Sequence, residues 1–284
     1  MSHLWLPQAG VLPVQHNLAA LADFLPGTSV PTHATVNSTK GTETTLIAST
    51  NFDAFELWVY ISNYASSGAS SKGMVDILIG SATADIAIAN LLSGQAGGDG
   101  TACPSGKAWK FPLYIPSGAR ISAQAAGERT GVSLRVAVWI RGGPYPPGRV
   151  GTKVTTYGVG TVPDATAVTA GNDAEGNWTE ITASTTSDHF ACVPSFQGPT
   201  DTSYTPKKGH SVDIGIGSAT EELLGGYEQG YLYSYDTVEA CDQLGFADPI
   251  YADIPSGSRL VARICASGAA DAAAPQIALH CVSE

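Results

Sequence analysis

The chain has 284 residues and a formal net charge of −11; it is 43% hydrophobic and only 14% charged. An acidic chain with no cationic cluster beyond Lys207-Lys208 lacks the phosphate-neutralising footprint that nucleic acid demands. No run of about 18 apolar residues is present to cross a membrane. With 32 Gly, 17 Pro and abundant Thr, Ser, Ala and Val, the composition predicts short strands joined by turns, not helices.

In chain order, residues 1–32 read as an extended N-terminal arm. "LPQAGVLPVQ" and "DFLPGTSVP" flank a short helical pattern over Asn17–Phe24. The first residues lack a basic start and a continuous apolar segment, so no secretory signal is expected. Residues 33–143 form a first module, with strands predicted at Glu56–Ser62, Val75–Gly80, Arg120–Ala126 and Ser133–Ile140. Residues 144–150 are a Pro/Gly linker, where missing N–H donors break sheet pairing. Residues 151–284 form a second module, with strands at His189–Phe196, Ser211–Gly217, Arg259–Ala266 and Gln276–Val282.

The two modules share landmarks at a nearly fixed offset. "VDILIGSAT" (Val75–Thr83) returns as "VDIGIGSAT" (Val212–Thr220), "AST" at Ala48 as "AST" at Ala183, and "IPSGARI" at Ile115 as "IPSGSRL" at Ile254. Conserved order and spacing indicate a tandem duplication. The expected fold class is all-β: two tandem antiparallel β-sandwich domains, jelly-roll-like, behind an extended N-terminal arm.

Chemistry-bearing motifs are sparse. Asp76 and Asp213 sit at the same place in an apolar strand pattern. The expectation is a structural carboxylate paired with Arg120 in the first copy and Arg259 in the second, because a buried unpaired charge is costly. The six histidines show no metal-ligand spacing, and no C-x-x-C, G-x-S-x-G or P-loop is present. "GGDG" at Gly97–Gly100 alone is a weak calcium cue. No catalytic, cofactor-binding or metal-binding residue is assigned. Of five cysteines, Cys103 and Cys241 are equivalent loop positions, and Cys265 and Cys281 fall in late strands that could be neighbours. Tyr227, Tyr231, Tyr233 and Tyr235 are not duplicated; they suit either a glycan platform or a subunit contact.

The run Trp178–Thr185, the "VDIGIGSA" strand and "IPSGSRLVAR" (Ile254–Arg263) together resemble modules of structural proteins of tailed bacteriophages and phage-like particles. That resemblance implies a virion location after folding in a host cytoplasm, and a non-enzymatic tail-appendage, fibre or head-decoration role. It also implies homo-oligomeric assembly, with the arm contacting other virion proteins. The alternatives are a carbohydrate-binding module contacting host-surface glycan and, behind it, a polysaccharide-degrading enzyme.

Overall fold

The computed structural model describes residues 13–17, 27–36, 38–63, 73–80, 84–93, 105–127, 130–143, 148–160, 164–197, 210–217, 222–227, 245–266 and 274–284. Among these residues the chain is all-β, without a helix. The first half supplies β1 (Val14–His16), β2 (Thr28–Pro31), β3 (Thr44–Ile47), β4 (Ala54–Asn63), β5 (Gly73–Gly80), β6 (Ala84–Ser93), β7 (Ser105–Phe111), β8 (Arg120–Gly127) and β9 (Ser133–Gly142). The second half begins with β10 (Lys153–Tyr157), β11 (Thr166–Ala167), β12 (Ala170–Asn172), β13 (Thr179–Thr182), β14 (His189–Gln197) and β15 (His210–Ile216). It ends with β16 (Glu222–Tyr227), β17 (Gly245–Ala247), β18 (Ile250–Ile254), β19 (Leu260–Ala266) and β20 (Gln276–Ser283).

Four sheets result. In the first half β9, β4 and β7 form one sheet, edged by β1 and β2, and β3-β8-β5-β6 form the other. In the second half β20, β14 and β18 are edged by β10 and β11, facing a sheet of β19, β15 and β16 flanked by β12 and β13. Pairing is antiparallel except for β12 with β19 and β17 with β7. Alternation drives the layering. Leu57, Val59 and Ile61 point inward to meet Val136, Val138 and Ile140, while Glu56, Trp58 and Tyr60 point outward.

The residues expected as an extended N-terminal arm contribute two strands to the first sheet. Val14–His16 and Thr28–Pro31 pair with the same strand, β9, and form one interrupted edge of the first sheet. Asn17 fills the interruption. Its Oδ1 accepts from the Val138 N–H at 2.7 Å and its Nδ2 donates to the Val136 carbonyl at 3.0 Å, so a side-chain amide continues the ladder as a peptide would. The helical pattern expected over Asn17–Phe24 lies, beyond Asn17, outside the described residues.

The repeated landmarks are structural partners. Thr50 Oγ1 donates to the Pro116 carbonyl at 2.6 Å and accepts from the Ala119 N–H at 2.9 Å, and Asp53 Oδ1 accepts from the Ser117 N–H at 2.8 Å. Thr185 donates to Pro255 at 2.8 Å and accepts from Ser258 N–H at 3.1 Å, and Asp188 accepts from Ser256 N–H at 2.7 Å. Gly118 and Gly257 occupy the left-handed position of these turns, at φ of 82° and 85°, which explains the glycine in each "PSG".

The acids in the repeated strands find other partners than the arginines expected. Asp76 is buried and takes Lys40 Nζ at 2.8 Å and the Asn90 N–H at 2.7 Å; Arg120 bonds Glu43 at 2.7 Å instead. Asp213 takes Arg263 Nε at 2.9 Å, while Arg259 bonds Glu180 at 2.7 Å. Register explains the swap. Asp213 stands opposite Arg263 on β19, but Asp76 stands opposite Gln124 on β8, so its cation must come from another segment. The cysteine expectation is also corrected. Cys281 stands opposite Cys192 in one sheet, whereas Cys265 lies in the other. The Cys192 thiol contact and burial push the Cys281 thiol well up. Cys103 and Cys241 lie outside the described residues.

Candidate functional site

Sheet β10-β20-β14-β18 is covered on both faces. Cys192, Phe196, Ile277 and Leu279 face the second half's own core, while Ala191, Val193 and Val282 join the core of the first half. The halves therefore meet along a packed seam. Its polar centre is His280, fully buried, with Nε2 2.8 Å from Ser195 Oγ and Nδ1 3.0 Å from Thr156 Oγ1. Thr156 donates onward to the Ala89 carbonyl at 2.8 Å, and Ser195 accepts from the Leu92 N–H at 3.4 Å. Gln197 Nε2 donates to the Ser93 carbonyl at 3.1 Å. Ala89, Leu92 and Ser93 belong to β6, the outer strand of its sheet. Polar side chains of one sheet face thus occupy the edge hydrogen bonds that a neighbouring strand would take.

This serine–histidine pair has no access to a substrate. Burial lowers the His280 pKa to about 3. Thr156 spends its proton on Ala89, so His280 donates through Nδ1 and accepts through Nε2, and every member is satisfied in the neutral state. It is a seam fastener, consistent with a packed histidine.

Where the seam reaches the surface it opens into a cleft of about 560 Å³, within the range of small-molecule sites. Three pieces build it: the β5–β6 end with Ile79, Asp85 and Ile86, the "PSG" turn with Ser117, and Thr152 and Lys153 at the start of β10. Tyr114 forms one wall. Phe55 lies behind its ring, at 5.9 Å between centroids and 35° between planes. Partial desolvation and the hydrogen-bonded Asp53 carboxylate raise the phenol above its ordinary pKa. Tyr114 is 39% exposed and Ile86 56% exposed, so the cleft offers apolar surface to solvent. The duplicated turn is scaffold, but Tyr114 is not duplicated. The position before Ile254 in the second half is Asp253, which pairs with Arg149 at 2.7 Å. A second cleft of about 500 Å³ lies there, lined by Arg149, Phe190, Tyr251 and Asp253. Its arginine is occupied by Asp253, by Glu284 at 2.9 Å and by the Phe190 ring at 4.7 Å.

Sequence reasoning missed this cleft, because Tyr114 and Asp85 lie 29 residues apart and carry no motif. The one available signal was the departure of Tyr114 from its repeat equivalent. Of the tyrosines singled out from sequence, Tyr227 ends β16, paired with Val212. Tyr231, Tyr233 and Tyr235 lie outside the described residues, as does the "GGDG" loop. Asp76, Arg120 and Asp213 stand in ion pairs on the outward faces of β5, β8 and β15, Arg259 stands in one just before β19, and the four do not converge on a cavity. Among the described residues no group of three or more His, Cys, Asp or Glu side chains is placed to hold a metal, and no helix could cross a membrane.

No family model matches the sequence, and no curated protein matches it. Two solved structures are similar over 95% of the chain. One is PNGF-II, at a TM-score of 0.38 and 8% identity, of which the chain covers 65%. The other is PNGase F, a glycosylasparaginase from Flavobacterium meningosepticum, at a TM-score of 0.35 and 8% identity, of which the chain covers 96%. These findings correct the expectation of a non-enzymatic virion structural protein. PNGase F is an enzyme, and no comparison ties the chain to a phage particle. At 8% identity and these TM-scores the likeness assigns no activity to the chain.

Proposed function

We propose that this protein recognises a saccharide in the cleft at the seam between its two halves. The observation that carries the reading is the Tyr114 wall, held from behind by Phe55 and at its hydroxyl by Asp53. A ring fixed before the ligand arrives loses little entropy on binding. Its apolar surface suits the C–H side of a sugar ring, while Asp85, Ser117, Thr152 and Lys153 offer acceptors and donors to sugar hydroxyls. The frame is two copies of one antiparallel sandwich, over about 14–143 and 151–284, with jelly-roll-like strand connections. The equivalent sheets and the repeated threonine–turn networks support that reading.

Titration of the full chain against a panel of neutral, amino and acidic saccharides tests the reading. Binding is expected for at least one class, with at least a tenfold loss on Tyr114→Ala and on Asp85→Asn. A panel without a binder, or a binder indifferent to Tyr114→Ala, would rule out this site. Chromatography of the bound saccharide after incubation shows whether it returns intact.

A further inference from the structure

β14 and β20 each carry one cysteine, and the two occupy the same rung: Cys192 stands directly opposite Cys281. Opposed residues of an antiparallel pair have Cα atoms about 4.5–5.5 Å apart, inside the span of about 4.4–6.8 Å that a disulfide bridges. Alternation sends both side chains to one face. Cys192 lies with Phe196, and Cys281 with Ile277 and Leu279, in the core of the second half, while Val193 and Val282 point into the seam. Both cysteines are fully buried, and their thiols are in contact. Cys265 cannot take either place. It lies on β19 of the facing sheet, where Ile264 and Ala266 turn into that core and Cys265 turns outward.

The same surroundings make the pair inert once the sheet has closed. Its neighbours on that face are apolar. The Cys192 thiol and burial push the Cys281 thiol up, so it stays protonated, and a protonated thiol is a poor nucleophile. A reagent in solution has no path to either sulfur until β14 and β20 part.

We propose that Cys192 and Cys281 form a cross-strand disulfide when the chain folds in oxidising surroundings, and that the folded protein keeps whichever state it folded in. The oxidant is a small-molecule disulfide of the glutathione type. Before the strands close, the thiolate of one cysteine attacks it, forms a mixed disulfide and releases one glutathione thiolate. The other cysteine attacks the mixed disulfide and releases the second. Two electrons pass from the cysteine pair to the oxidant, and the two cysteine protons end on the released thiols. The link closes a loop of about 90 residues, which restricts most of the unfolded second half. The proposal is independent of the saccharide cleft, since the pair faces away from the seam.

Cell-free synthesis of the full chain in two glutathione buffers, one mainly reduced and one mainly oxidised, is the test. Free thiols are alkylated in urea and the chain is mapped by peptide mass spectrometry. The oxidised product is expected to join Cys192 to Cys281, lighter by two hydrogens than the dithiol, and the reduced product to carry both as alkylated thiols. Dithiothreitol added to the folded, linked chain should leave the link intact. Oxidised glutathione added to the folded dithiol should leave both thiols free. The same reagents in urea should convert each form, and the linked form should show the higher urea midpoint. An oxidised product in which Cys192 and Cys281 stay free, or pair with Cys103, Cys241 or Cys265, overturns the proposal. So does a linked form that unfolds at lower urea than the dithiol, because the sheet then does not accommodate the bond. Exchange in the folded chain as fast as in the unfolded one overturns the retention of the folding state.

Discussion

His280 and Ser195 face each other across neighbouring strands of one sheet, with Nε2 and Oγ 2.8 Å apart, and together with Thr156 they hold the edge of a strand from the other half, Ser195 at Leu92 and Thr156 at Ala89. A histidine in this role must stay neutral. A proton on Nε2 would take from the Ser195 hydroxyl the acceptor to which it now donates, and would place a charge in a fully buried site. The seam is therefore a place where the fold itself is sensitive to acid.

Burial lowers the His280 pKa to about 3 from its ordinary 6.5. Below about pH 6.5 the unfolded chain takes up a proton that the folded chain refuses until about pH 3, so stability falls on acidification through that window. The slope for one group is at most about 1.4 kcal/mol per pH unit. Burial also lowers the His189 pKa, which adds loss in the same direction. Urea midpoints measured from about pH 7 to 5, above the range where carboxylates titrate, should fall steadily. They should fall less steeply in His280→Gln, which can hold both hydroxyls without titrating. Equal slopes in the two proteins would remove His280 as the cause.

The two repeated aspartates should not cost the same when removed. Asp76 is 4% exposed and compensates the mostly buried Lys40, whose pKa burial lowers despite the carboxylate beside it. Asp76→Ala leaves that ammonium and the Asn90 N–H without their partner, a loss of about 3 kcal/mol. Asp213 is less buried, its side chain 19% exposed, and its partner Arg263 keeps Glu175 and the Trp178 ring, so Asp213→Ala should cost about 1 kcal/mol. Chemical denaturation of the two variants checks the order; the reverse order would mean that Lys40 is not held by Asp76.

Much of this architecture was legible in the residues. Alternation in "ELWVYIS" and "SLRVAVWI" placed strands, and the shared "AST" and "IPSG" spacing pointed to contacts that the Thr50–Pro116 and Thr185–Pro255 bonds supply. Partners on other strands were less legible. Asp76 sits closer in sequence to Lys40 than to Arg120, but nothing local says which cation the sheet brings opposite it. The residues before Pro31 looked like an arm because β1 has only three residues and β2 only four. Each is recognisable as an edge only once β9 is in place beside it. The cleft was invisible for the same reason, since its walls come from three separate turns.

The fourth letter of the repeated strand, the one that differs between the copies, has a structural cause. Leu78 in the first copy is Gly215 in the second, where a Cβ would sit 3.0 Å from the Trp178 ring. Trp178 is stacked by Arg263 at 4.4 Å and covers the outward side of β15, a position for which "TETTLIAST" in the first copy has no tryptophan. Gly215→Leu must expel the indole and is expected to cost about 1–3 kcal/mol. Pairing it with Trp178→Ala should recover part of that loss, since the removed ring vacates the space. A denaturant series on the single and double variants decides it, and strictly additive losses would show that the two positions do not compete.

Thr50 and Thr185 make the same two side-chain bonds to the same turn in two places, so their removal is a controlled comparison. Thr→Val keeps the shape and deletes the hydroxyl; the turn N–H and proline carbonyl keep their longer mutual bond, at 3.3 Å for Ala119 to Pro116 and 3.2 Å for Ser258 to Pro255, so each loss should be about 1 kcal/mol. The loss should be the larger at Thr50, because the Pro255 carbonyl also accepts from Ser258 Oγ at 2.6 Å whereas Ala119 stands at the equivalent place in the first copy. Their effects on ligand binding should differ outright. The Thr50 turn carries Ser117 and borders Tyr114 in the seam cleft, whereas the Thr185 turn borders Asp253 and no part of that cleft. Thr50→Val should therefore weaken saccharide binding severalfold, and Thr185→Val should leave it unchanged. Calorimetric titration of both variants beside the wild type reads the difference. Equal weakening by both would mean that binding follows global stability and not the geometry of the Tyr114 wall.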